Sequence, residues 1–212
     1  IYNFATCPIE RLVEDGQGMS LRQLLKKPIF AAAIILMICA GASEMSMAQW
    51  ASAFAESALG LTKSVGDLAG ACLFATTMGI SRMLYGKFGE KIDLIKFMLV
   101  SGVICVVSYL LAGLSAMPIW GLVGCVMCGF SVGIMWPGSI SITAPRIPKG
   151  GTALFALLAM AGDMGGAFGP SVVGYFSQHA GDNLQAGLLT GCIFPLIMLA
   201  TLIAMKKMTP EG

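Results

Sequence analysis

Long apolar runs alternate with short polar connections along the whole chain, at about 29–55, 65–86, 94–113, 118–143, 151–176 and 185–205. Each exceeds the roughly 20 residues that an α-helix needs to cross a hydrocarbon core about 30 Å thick. The pattern therefore predicts an all-α membrane protein with six transmembrane helices. The first, fourth and fifth runs are longer than the minimum, so tilt or extension beyond the bilayer is expected. Residues 1–28 read as a cytoplasmic lead-in, 29–207 as the membrane domain and 208–212 as a cytoplasmic tail. Within the lead-in, Ser20 to Pro28 carries two readings of equal standing. One is a short amphipathic helix on the membrane face, and the other is a block of topogenic charge.

The polar positions set the orientation. Twelve of the 13 basic residues fall in alternate connections, and only Lys63 falls in the others. By the positive-inside rule both termini are cytoplasmic. The connections are short, and Pro145 to Gly151 and Ser115 to Pro118 read as tight turns. They leave no room for a catalytic loop, a phosphate-binding glycine loop or a metal-ligand cluster. An enzyme, a cofactor, a metal site and a nucleic-acid partner are accordingly not expected.

Composition agrees with lipid as the solvent. Charged residues are 11% of the chain, against about 25% in soluble domains, and the mean hydropathy is +0.83. The cysteines lie mostly inside apolar runs, where a thiol behaves as a small hydrophobe. Cys125 and Cys128 form a C-x-x-C without the second pair that a metal site needs.

Two acids stand inside the apolar runs. Glu44 lies about 24 Å up the first span from Pro28, and Asp163 about 18 Å up the fifth from Gly151, at 1.5 Å per residue. A carboxyl at that depth costs roughly 2.5–3.5 kcal/mol, so each should face protein or water rather than lipid. Both are candidates to bind and release a coupled proton, and hydrogen-bonded packing is the alternative for each. Ser43, Met47, Trp50 and Phe54 share one face of the first span by their spacing. With Gln49 they suggest stacking and hydrogen bonding to a polar solute, although Trp50 also fits an interfacial anchor. In the fourth span, Pro137 and Gly138 are expected to break the helix beside Trp136 and Ser139 and to open a polar cavity. Gly162, Gly165, Gly166 and Gly169 are spaced for close helix approach, and Pro170 allows a kink. His179 reads as a solvated outer-loop residue.

Three stretches together resemble the C-terminal six-helix half of the major facilitator superfamily, in its bacterial fucose-permease-like form. They are Glu44 to Ser57 (EMSMAQWASAFAES), Gly79 to Lys91 (GISRMLYGKFGEK), and Ala161-Gly162-Asp163 leading to Gly169-Pro170. The stretch from Gly79 to Lys91 resembles a degenerate cytoplasmic signature loop, with Arg82, Lys87, Gly89 and Lys91 as its residues. Only Lys87, Gly89 and Lys91 follow the signature, while Arg82 and Gly86 stand where its first glycine and its aspartate would fall. The resemblance implies helices 7–12 of a twelve-helix transporter in a bacterial inner membrane. Its partners would be the bilayer, a small solute, protons, and a missing N-terminal half or a second copy. Proton symport of a small polar solute, a sugar first, is the function it implies. Drug or metabolite efflux by antiport is the alternative, and a non-transporting assembly module is another. The chain opens on Ile1 rather than Met, the opening expected of a fragment.

Overall fold

The computed structural model describes residues 19–89 and 92–208. Lys91 of the expected signature loop, most of the lead-in and the tail after Met208 lie outside the described residues. The helices are α1 (Leu21–Leu25), α2 (Pro28–Ala48), α3 (Ala51–Leu59), α4 (Lys63–Phe88), α5 (Leu94–Leu114), α6 (Pro118–Val132), α7 (Met135–Thr143), α8 (Gly151–His179), α9 (Leu184–Gly191) and α10 (Ile193–Lys207). They make six spans long and apolar enough to cross a membrane: Pro28–Glu56, Lys63–Phe88, Leu94–Leu114, Pro118–Arg146, Gly151–His179 and Leu184–Lys207. The first, fourth and sixth spans are each broken once, and the other three are continuous.

Local chemistry explains where the helices start and stop. Pro28 and Pro118 occupy the first helical turn, where a missing N–H costs nothing. The Asn183 side chain accepts from the backbone N–H of Gln185 and Ala186 at the start of α9. Gly60 takes a left-handed φ of 62° after α3, a conformation that lacks a steric penalty in glycine. The Ser20 N–H donates to Gln23 Oε1 at 2.8 Å, and Leu24 buries itself completely. Residues 21–25 are thus a short helix, and Met19 N–H ties it to the Lys149 carbonyl at 2.9 Å.

The helix α2 sits at the centre. Its most extensive contact is with α8, and it also meets α10, α7 and α6. The second span packs on α3 and α6, and the third on α6, α9 and α10. Leu36, Met37, Met98, Tyr109, Met135, Leu158 and Met198 are fully enclosed between them. Tyr109 Oη donates to the Ser43 carbonyl at 2.8 Å, which gives a buried hydroxyl the partner it requires. The thiols serve packing: Cys125 Sγ donates to Met47 Sδ at 3.6 Å and Cys105 and Cys128 meet at 3.8 Å.

Three expectations are corrected. The stretch from Gly79 is not a turn, because α4 runs unbroken to Phe88. Arg82 and Lys87 therefore belong to the second span, and of the described signature residues Gly89 alone lies beyond its end. The break in the fourth span falls at Gly133 and Ile134, not at Pro137 and Gly138. A proline removes the bond to the carbonyl four residues earlier, and Pro137 itself fits the first turn of α7. His179 is exposed, but it closes α8 rather than standing in a loop, and its ring lies against Tyr175 with ring centres 4.1 Å apart.

One prediction arises at the start of α5. Asp93 accepts the Lys96 backbone N–H at 3.2 Å and faces the Lys96 ammonium at 3.4 Å. The backbone hydrogen bond first, and the ammonium after it, hold this carboxyl below the usual Asp value. A depressed value means that the charged cap stabilises the fold above the ordinary Asp pKa and is lost as pH falls below it. Asp93→Ala is expected to lower the melting temperature slightly at neutral pH. That difference should vanish on acid titration through the carboxylate range.

Candidate functional site

The site is built where α2 and α8 touch through bare backbone. A Cβ at Gly41 would stand 2.0 Å from the Gly162 carbonyl oxygen, and one at Gly165 would stand 2.0 Å from that of Ile38. Small residues permit this approach between membrane helices. It brings Glu44 and Asp163 onto one cavity of about 510 Å³. Glu44 is half-buried and Asp163 is exposed to the cavity. Trp136 forms another wall, and its indole lies 2.4 Å from where a Cβ of Gly162 would be. Any side chain at Gly162 would push that indole away.

Arg82 completes the lining. Its Nε donates to the Gly133 carbonyl at 3.0 Å. This carbonyl is the one deprived of its helical donor by Pro137. The guanidinium thus caps the broken fourth span while lying beside the carboxylates. Nearby, Thr77 Oγ1 donates to the Val126 carbonyl at 2.9 Å and binds the same two spans together. Arg82 thus brings a basic group onto the cavity that Glu44 and Asp163 share.

The candidate solute residues divide three ways. Trp136 lines the acid cavity. Gln49 and Trp50 instead line a cavity of about 450 Å³ with Pro170 and Ser171. A further cavity of about 410 Å³ joins the two, sharing Met45, Gly166 and Ala167 with the first and Gln49, Pro170 and Ser171 with the second. Ser43, Met47 and Ser139 reach none of these cavities and are fully buried, which corrects their assignment to the lining. The face that Ser43, Met47 and Phe54 share is turned into the bundle, and Ser139 Oγ donates to the Met135 carbonyl of its own helix at 2.5 Å. The cavity face of α2 is Gly41, Glu44 and Met45.

The glycines divide as well. Gly162, Gly165 and Gly169 are helix contacts, Gly169 against Ala42 and Ser46, while Gly166 floors both the acid cavity and the joining one. Gly138 packs on Met98. Pro170 sits inside a continuous helix. Sequence reasoning missed Gly41 and Met45 and assigned Arg82 to the signature loop rather than to this cavity. For Arg82 the available sign was its setting: Ile80, Met83 and Leu84 around it continue the apolar run. Among the described residues, no group of three or more His, Cys, Asp or Glu is placed to hold a metal.

The sequence profile of the Major Facilitator Superfamily matches residues 29–211. The chain belongs to the Major Facilitator Superfamily. Members of this superfamily are transporters. Two relatives within reach are both the multi-drug resistance efflux pump PmrA, from two strains of Streptococcus pneumoniae. Each is 28% identical over 159 residues, covering 70% of this chain and 39% of the pump. The superfamily chain described here thus spans less than half the length of the curated relatives it matches.

Proposed function

We propose that this chain is a six-helix half of a secondary transporter that works by alternating access and exchanges an organic cation for protons. The observation that carries this reading is the charge on one cavity. Glu44 and Asp163 supply two carboxylates and Arg82 one guanidinium, so a carboxylate is left over for a proton or a cationic solute. An uncompensated acid at membrane depth is a functional site by default, because its burial is costly without one. Similarity to an efflux pump supports export as the direction.

Proton symport of a sugar, the fucose-permease-like form, is the second reading. It is favoured by the Trp136 indole in the acid cavity and by the amide and hydroxyl of Gln49 and Ser171 in the next one. An aromatic face beside such groups suits a polar, partly apolar solute.

The partner is a second six-helix unit, either an N-terminal half or another copy. The second and fifth spans are the least hydropathic of the six and also the least buried. Facing lipid would be the poorer environment for both, and a protein neighbour resolves that conflict. The host membrane in this reading is a bacterial inner membrane with both termini cytoplasmic.

Proteoliposomes holding the whole transporter decide between the readings. With an acidic lumen, antiport accumulates a fluorescent organic cation inside as protons leave. Symport under the same gradient drives a labelled sugar outward. Movement of both solutes that ignores the gradient would overturn proton coupling altogether.

A further inference from the structure

Arg82 donates to one acceptor, the Gly133 carbonyl, and shares its cavity with a second group able to accept, the Glu44 carboxylate. The Gly133 carbonyl is permanent, whereas the Glu44 carboxylate disappears when a proton binds. Nε holds the carbonyl at 3.0 Å, and the same side chain lines the cavity with Glu44 and Asp163. A guanidinium has five N–H donors in a rigid fork, and it prefers a charged acceptor to a neutral one. Trp136, one residue before Pro137, lines the same cavity with its indole against Gly162 of α8.

We propose that Arg82 is the positioning residue that ties proton occupancy at Glu44 to the break in the fourth span. This rests on the reading of Glu44 as the coupled-proton site. When Glu44 is ionised, its carboxylate draws the guanidinium and loosens the cap on Gly133. When Glu44 takes a proton, the guanidinium settles on the carbonyl and closes the gap that Pro137 leaves. The α6–α7 junction is then fastened to the second span, and Trp136 is pressed against Gly162. Release of the proton frees the junction and lets the Trp136 wall of the cavity move. A single hydrogen-bond exchange thereby couples the first span to the fourth and fifth.

The other charges around Glu44 are few. From α8 comes Asp163, and the neighbouring helices α6, α7 and α9 carry no charged residue. On α10 the charges are Lys206 and Lys207 in the last turn. On α1 it is Arg22, and on α3 it is Glu56, whose side chain packs at Gly66. Asp163 is thus the one other acid on the cavity, and its replacement is the control.

The test is indole emission from the whole reconstituted transporter, titrated with pH, with the Trp136 contribution assigned by its loss in Trp136→Phe. The parent should show a pH-dependent change, and so should Asp163→Asn. Glu44→Gln and Arg82→Gln should both abolish it. Where Arg82→Gln fails to fold, adding Pro137→Ala returns a backbone donor to Gly133, and the double variant carries the same expectation. An Arg82 that is only structural would lower the melting temperature of Arg82→Gln and leave the titration intact, which overturns the inference. So does a parent with no titration. Proton-driven transport combined with an emission change indifferent to Arg82 sinks this inference alone. Gradient-independent transport combined with the stated emission pattern sinks the functional reading and leaves the Arg82 exchange standing.

Discussion

Glu44→Gln is expected to abolish proton-driven accumulation while leaving exchange of solute at equal concentrations in place. The substitution keeps the shape and hydrogen-bonding capacity of the side chain and removes only the ionisable proton. One proton per cycle under a gradient of about one pH unit supports about tenfold accumulation, since about 1.4 kcal/mol is tenfold in a ratio. In the variant that ratio should fall to unity. The comparison that matters is between gradient-driven uptake and counterflow in the same vesicles. Loss of both would point to damage at the site, and survival of gradient-driven uptake would remove Glu44 from the coupling role. Asp163→Asn in the same assay shows whether the second carboxylate shares the proton.

Gly165→Ala is the substitution with the largest expected effect on stability. A Cβ there meets the Ile38 carbonyl at 2.0 Å, and backbone cannot swing aside as a flexible side chain can. Overpacking of a tight interface costs about 1–3 kcal/mol, occasionally more, and here it would also part α2 from α8. Gly174→Ala in the same helix is the control, because a Cβ there meets nothing within 4 Å. Alanine in place of a helical glycine with open space for its Cβ is favourable by up to about 1 kcal/mol. Thermal unfolding in detergent should therefore move down for the first variant and stay level or rise for the second. Equal melting temperatures would mean that the α2–α8 contact yields more easily than its geometry implies.

The six spans were legible because each is a long run in which the apolar residues leave no other reading. The two acids were legible for the complementary reason, since a carboxylate inside such a run stands out at once. Which face of α2 meets the cavity was not. A helix apolar all round offers no contrast between its faces, so the shared spacing of Ser43, Met47 and Phe54 could not say that this side turns inward. Only the partner decides it: Gly162 of α8 fits against Gly41, and that contact turns Glu44 and Met45 to the opening. Arg82 was hidden by its neighbours Lys87 and Lys91, which drew it into a row of basic residues at the end of a span. The misplaced break has a similar origin, because a proline shows its effect four residues upstream of its own position.

The second span raises a question of synthesis. Lys63–Phe88 is the least hydropathic of the six spans, whereas Leu94–Leu114 after it is among the most hydropathic. In the second span Lys63, Asp67 and Lys87 stand toward the ends, whereas Arg82 lies inside the apolar run about two turns from the end, where a charge opposes release into lipid more than it does at a terminus. The carbonyl that receives Arg82 is in the fourth span, which the ribosome has not yet made when the second emerges. A nascent chain that ends before residue 133 would therefore lack the carbonyl that Arg82 holds in the finished fold.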